Sequence, residues 1–206
     1  KAEKAATMIS VIFAFAIAIG LFIVLPAFLV KGSNEDATMF SSLKEGLIKI
    51  SFFVAYIYII SLMNDIKRVF QYHGAEHKSI FAYEKGLELT VDNVKKMPRL
   101  HPRCGTNFIF VVLMVSTFVF SFFTFENVLT RSILKLIFFP VVAGIAYEII
   151  KIAGKYQNPF TRVLILPGLL MQKITTREPD EKQIEVAIAA LQATLDKTEV
   201  VSPSPT

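Results

Sequence analysis

Tryptophan is absent from this chain, and cysteine occurs once, at Cys104. A membrane protein without tryptophan lacks its usual interfacial anchor, so Tyr56, Tyr58, Tyr72, Tyr83, Tyr147 and Tyr156 have to fill that role. A lone thiol excludes an internal disulfide, which leaves the redox compartment to be argued from other features. Histidine is nearly as scarce: His73, His77 and His101 are the whole supply, and they share with Cys104 one stretch between two apolar segments. Charge is missing from long runs, there is no internal repeat or low-complexity region, and the first residue is Lys1 rather than Met, so the chain reads as a fragment.

Apolar residues are plentiful. They make up 53% of the 206 residues, against about 45–50% in a soluble domain, and the mean hydropathy is +0.53. Residues 6–30 carry no charge over about 25 positions, where about 20 cross a bilayer. Leu47–Met63, Phe108–Phe125 and Ile133–Ile152 are the next three candidate spans, the last with Pro140 expected to kink it and Lys135 and Lys151 able to snorkel at its ends. Glu148, just inside that boundary, is expected to pair with Lys151 or a loop arginine rather than to serve as a base.

Basic residues orient the spans. Lys67, Arg68, Lys78, Lys85, Lys95, Lys96, Arg99 and Arg103 lie between the second and third, while the outer connections hold only Lys31 and Lys44 in one and Arg131 in the other. The middle loop is therefore expected on the cytoplasmic, reducing side, with both termini. The net charge of +5 points in the same way to orientation and anionic lipid, and nucleic acid is not the expected partner.

The expected fold is all-α: a polytopic membrane protein with four transmembrane helices, comprising a membrane domain over 1–155 that includes a cytoplasmic loop at 64–107, a cytoplasmic or interfacial segment at 156–200, and a disordered tail at 201–206. Val163–Met171 is apolar but interrupted by Pro167-Gly168, which predicts an interfacial or re-entrant piece. After Pro179, Ile184, Ile188, Leu191 and Leu195 recur at helical spacing and predict an amphipathic helix that needs an apolar partner.

Chemistry is concentrated between the second and third spans. From Leu47 to Lys85 there is no proline and one glycine, Gly74, so the second span is predicted to continue as a helix until Gly86. His73 and His77 then stand one turn apart, able to reach one ion, with Glu76 beside them in the His-x-x-Glu-His order of one class of zinc peptidases. His101 and Cys104 follow in a loop shaped by Pro102 and Gly105, where a helix N-terminus and the nearby Arg99 and Arg103 favour the thiolate. His73, His77, His101 and Cys104 are the candidate ligands of Zn2+ or another divalent transition metal, and Glu76 is the candidate general base.

At His73-Gly-Ala-Glu-His-Lys78 and at Arg99-Leu-His-Pro-Arg-Cys-Gly-Thr-Asn-Phe108 the chain resembles the YqhQ-like family, a domain-of-unknown-function family of bacterial membrane proteins. Ala146-Tyr-Glu148, Leu166-Pro-Gly168, Thr175-Thr-Arg-Glu-Pro-Asp180 and Glu185-Val-Ala-Ile188 extend the likeness. The resemblance implies a multi-span protein of the bacterial inner membrane with an inferred, metal-dependent activity and no established reaction. Members tend to carry a polar, glycine-containing segment ahead of the first span, which this chain lacks. Two functional classes lead: a metal-dependent hydrolase at the cytoplasmic face, acting on a membrane protein or peptide, and a non-catalytic assembly or insertion factor with a structural metal site. A transporter ranks below both, because Glu148 is the one intramembrane charge that the sequence leaves unexplained.

Overall fold

A computed structural model describes residues 2–31, 38–123, 128–156 and 158–201. The described residues contain helices and no strand. In chain order they are α1 (Ala2–Ile19), a π-helical segment (Gly20–Val24), α2 (Leu25–Lys31), α3 (Met39–Ile60), α4 (Asn64–Glu84), α5 (Val91–Lys95), α6 (Gly105–Ser121), α7 (Val128–Lys155), α8 (Pro159–Thr175) and α9 (Glu181–Val201). Lys1, the connection around Ser33, the side chains of Lys31 and Arg131, and residues 202–206 of the expected tail lie outside the described set.

The chain divides into two compact units, the first formed by Lys1–Tyr56 and Ile109–Glu148. Its α1 leaves Met8, Phe13 and Phe15 exposed, a surface that only an apolar medium tolerates at this density. The π-helical segment has a local cause: Pro26 brings no N–H and crowds the preceding turn, and the widened winding sends the Leu25 N–H to the Gly20 carbonyl. Further on, a Cβ at Gly46 would collide with the Thr117 side chain, so the missing side chain is what admits α6 beside α3. Glu45 is buried there and pairs with Lys49, while Lys135 approaches to 3.5 Å. Lys135 thus turns inward to a carboxylate instead of snorkelling, because a buried charge demands a partner.

Two segments are long and apolar enough to cross a membrane, Lys4–Phe22 and Ile133–Lys155, with mean hydropathies of 2.4 and 2.1. Met39–Ile60 with Asn64–Glu84 makes a third only if the bent pair is counted as one span. The third expected span, Phe108–Phe125, corresponds to α6, whose 17 residues cover about 25 Å against a hydrocarbon core of about 30 Å. Two to three candidate spans therefore stand among the described residues.

Ile57–Phe108 and Ile149–Thr206 form the second unit. Here the continuous helix predicted from the second span to Gly86 is interrupted: α3 stops at Ile60, Met63 is extended (φ −72°, ψ 137°), and α4 starts at Asn64. No proline or glycine marks this break. The Ser61 hydroxyl instead donates to the Tyr58 carbonyl at 2.6 Å, and the Arg177 guanidinium donates to the released Ser61 carbonyl at 3.2 Å. The far end of α4 does follow the sequence. Gly86 takes φ 66°, its N–H reaches Tyr83 O, and the Leu87 N–H reaches Ala82 O, the paired bonds of a Schellman stop.

α8 runs unbroken through Pro167-Gly168, contrary to the interruption read from those residues. Its start is fixed by an Asn158–Thr161 capping box with Pro159 in the first turn, and Gly168 admits Asn107, whose Oδ1 occupies the place a Cβ would take. α9 opens two residues later than Pro179 suggests, behind a reciprocal Asp180–Gln183 box of 2.8 and 2.9 Å bonds. Its Ile184, Ala187 and Ile188 pack on Ala75 and Ala82 of α4 and Val94 of α5, with Leu89 and Met97 closing the cluster. Burying Ile184 alone is worth about 1.5–3 kcal/mol.

The segment between α8 and α9 lies hard against α4. The Arg177 N–H donates to Phe70 O at 2.8 Å, and a Cβ at Gly74 would collide with the Arg177 carbonyl. Gly74→Ala is therefore expected to lower stability by about 1–3 kcal/mol, read as a lower midpoint in detergent-solubilised thermal unfolding. Gly144→Ala, where a methyl meets nothing within 4 Å, should be neutral or slightly stabilising. Equal midpoints for both variants would show that the Arg177 segment does not press on α4.

Candidate metal centre

His73 and His77 leave the same face of α4, their ring centroids 4.4 Å apart, as the one-turn spacing requires. Each ring is held at its Nδ1 by a backbone carbonyl: Thr175 O at 2.8 Å for His73 and Arg99 O at 2.5 Å for His77. A carbonyl only accepts, so Nδ1 carries the proton in both rings and Nε2 is left as the donor atom. His73 Nε2 lies 3.2 Å from Cys104 Sγ, and one ligand atom from each of His73, His77 and Cys104 falls within 4.8 Å of the others. Tetrahedral zinc, with bonds of about 2.0–2.1 Å to nitrogen and about 2.3 Å to sulfur, separates its ligands by about 3.4–3.6 Å. The His73–Cys104 separation is near that spacing, the other two lie within 4.8 Å, and backbone carbonyls orient the rings as they do in metal sites.

The Cys104 loop is held by bonds of its own. Asn107 Nδ2 donates to the Pro102 carbonyl at 2.7 Å, and the Thr106 N–H donates to Cys104 Sγ at 3.4 Å. Burial pushes the thiol up, but hydrogen bonds to His73, His77 and Thr106 outweigh it and bring Cys104 from 9.0 to about 5. Burial likewise opposes charge on His73, and the contacts with Cys104 and Thr175 overcome it and raise the imidazole above its ordinary value.

The other two candidates are placed differently. Glu76 is exposed on α4 and acts electrostatically on His73, one helical turn away. His101 is buried but faces elsewhere: its Nδ1 accepts the Arg103 N–H at 3.2 Å, and its Nε2 lies 3.4 Å from Glu84 Oε2. Glu84 in turn takes Arg103 at 2.6 Å. Burial lowers the His101 imidazole despite the attraction of Glu84. The His101 and His77 ring centroids are 5.7 Å apart, so His101 stands beside the cluster without entering it.

Sequence reasoning passed over Gln172, which is fully buried in α8 and bonds both backbone groups of His101, accepting from its N–H and donating to its carbonyl at 2.8 Å each. A buried glutamine on one face with Gly168 and Thr175, in an otherwise apolar helix, was the available signal. Lys78 also exceeds its expected role as a topology determinant: it is buried, donates to Lys95 O at 3.0 Å and pairs with Glu178.

In metal-free protein, thiolate absorbance near 240 nm is expected at neutral pH and to be lost as pH falls through about 5. Because the folded value lies below the ordinary one, the thiolate stabilises the fold fully above about pH 9 and loses that contribution on acidification through about 5. His73→Ala should move the transition upward. A thiol titrating near 9 in the unmodified protein would show that the two imidazoles do not hold Cys104.

The family described as "Protein of unknown function (DUF1385)" matches over residues 1–197. The chain is also 42% identical over 152 residues to "Uncharacterized protein YqhQ" of Bacillus subtilis, covering 73% of this chain and 48% of that protein, so it spans about half the length of that relative. No solved structure matches. Helices apolar enough to cross a membrane and a His/His/Cys cluster able to hold a metal thus occur together in a chain that belongs to the DUF1385 family.

Proposed function

We propose that this protein is a membrane-embedded, metal-dependent hydrolase whose centre, held by His73, His77 and Cys104, faces the cytoplasm. The observation that carries the reading is the convergence of three donor atoms whose protons are already committed or lost. Both Nδ1–H groups point at carbonyls, so two Nε2 lone pairs meet a thiolate-forming sulfur, and such a set is repulsive until a cation or an extra proton joins it.

A divalent metal there would supply Lewis acidity and a lowered pKa for water. The chain's residues do the rest: the Thr175 and Arg99 carbonyls fix both rings, and exposed Glu76 receives a proton from water beside His73. Three protein ligands are the usual number for catalytic zinc, where structural sites use four. His101, engaged by Glu84 and Gln172, positions the Cys104 loop in this reading. The structural alternative draws on a separate observation, that His73 contacts three separate stretches at once: α4 itself, the Cys104 loop and the end of α8.

Four spans, with both termini and residues 64–107 on the cytoplasmic side, complete the proposal. α1, α3, α6 and α7 are its spans, and the basic residues between α3 and α6 support the orientation.

Glu76→Gln should retain metal while turnover, or complementation of a deletion, falls by about 10²–10⁴, and His73→Ala and Cys104→Ser should lose the metal too. His101→Ala should keep it. A Glu76→Gln protein that holds metal and complements fully would transfer the assignment to the scaffold class. For the topology, single cysteines at Ser33 and Glu88 in a Cys104→Ser background should be labelled from opposite sides, and labelling from one side would end the four-span arrangement.

A further inference from the structure

The metal reading leaves another concavity of the second unit unexplained. Phe81, Leu100, Pro102, Ala153, Ile165 and Leu169 line a pocket of about 230 Å³, and Thr161 and Arg162 complete its wall. The Thr161 hydroxyl is committed to the Tyr156 carbonyl at 2.5 Å. Arg162 is exposed, and its guanidinium has no partner among the described residues. An apolar hollow with one uncommitted cation at its wall selects a ligand with an apolar tail and an anionic end.

The surroundings indicate where such a ligand comes from. α8 buries Thr161, Ile165, Gly168 and Gln172 toward its own unit, yet its outer face shows Phe160 (73% exposed), Val163 (66%), Leu166 and Leu170. A helix that is apolar on the outside belongs against lipid. Ala153 sits two residues before the end of the apolar segment Ile133–Lys155, at the level where acyl chains give way to headgroups. The volume lies below the roughly 300 Å³ at which pockets for drug-sized ligands begin, so it suits part of one chain rather than a whole lipid. Arg162, at the same level, then faces a phosphate.

We infer that this pocket is a binding site for an anionic phospholipid, with an acyl chain among Phe81, Ile165 and Leu169 and the headgroup phosphate on Arg162. The site adjoins the His/Cys cluster through one ring: the Phe81 centroid is 4.5 Å from that of His101, which stands beside His77. It does not depend on a metal being bound.

The test measures binding of phosphatidylglycerol carrying a fluorescent acyl chain to the full chain in neutral detergent, with phosphatidylcholine bearing the same chain as comparison. Both lipids carry the phosphate, but phosphatidylcholine brings its choline cation beside Arg162, so phosphatidylglycerol should bind at least about tenfold tighter. Arg162→Gln should erase that preference, and Leu169→Trp, which plugs the hollow, should weaken both lipids. Metal content should stay unchanged in each variant, so failure here is separate from failure of the metal centre. Equal affinity for the two lipids, a preference that survives Arg162→Gln, or undiminished binding by a Leu169→Trp protein of native helical content would overturn the site. Arg162 is exposed, so its variant tests the site even where the plugged protein does not fold.

Discussion

Two backbone carbonyls, those of Thr175 and Arg99, set the chemistry of this molecule. By accepting the Nδ1–H of His73 and His77 they decide which nitrogen of each ring remains basic and where it points. Everything around them serves to bring those carbonyls to α4. The Thr175 carbonyl arrives because α8 ends there, and the next residues cross α4 closely enough that Gly74 must lack a side chain. Arg99 precedes the loop that Gln172 grips through both backbone groups of His101. The packing of α9 on α4 and α5 keeps the far side of α4 in place while its histidine face stays committed.

This arrangement explains why a thiol and two imidazoles can be held together in a partly buried place. Desolvation disfavours charge on Cys104 and His73, and their mutual hydrogen bonding offsets it. Glu84 meets the remaining demand by balancing Arg103 and taking the second nitrogen of His101. The Glu84–Arg103 pair is partly exposed, so it positions the His101 loop more than it adds stability.

Much of this was legible in the residues. Helical spacing placed His73 and His77 on one face, the short His101–Cys104 interval put a thiol in the following loop, and the period of Ile184 and Ile188 announced a helix in search of a partner. What escaped depended on contacts across the chain. The break at Ser61–Met63 contains no breaker residue and is capped by Arg177, more than a hundred positions away. Pro167-Gly168 reads as a stop, yet α8 continues because Asn107 fills the space that Gly168 leaves. His101 lies close to Cys104 in sequence, but Glu84 and Gln172, not the chain spacing, decide where its ring goes. Arg99 contributes through its carbonyl, for which side-chain patterns carry no signal.

X-ray absorption at the zinc edge of the metal-loaded chain reports the bound set directly. The account predicts two imidazole nitrogens at about 2.0–2.1 Å and one sulfur at about 2.3 Å, the remaining scattering coming from light oxygen-type neighbours. A spectrum without sulfur, or with three imidazoles, would contradict the assignment of His73, His77 and Cys104 as the ligands.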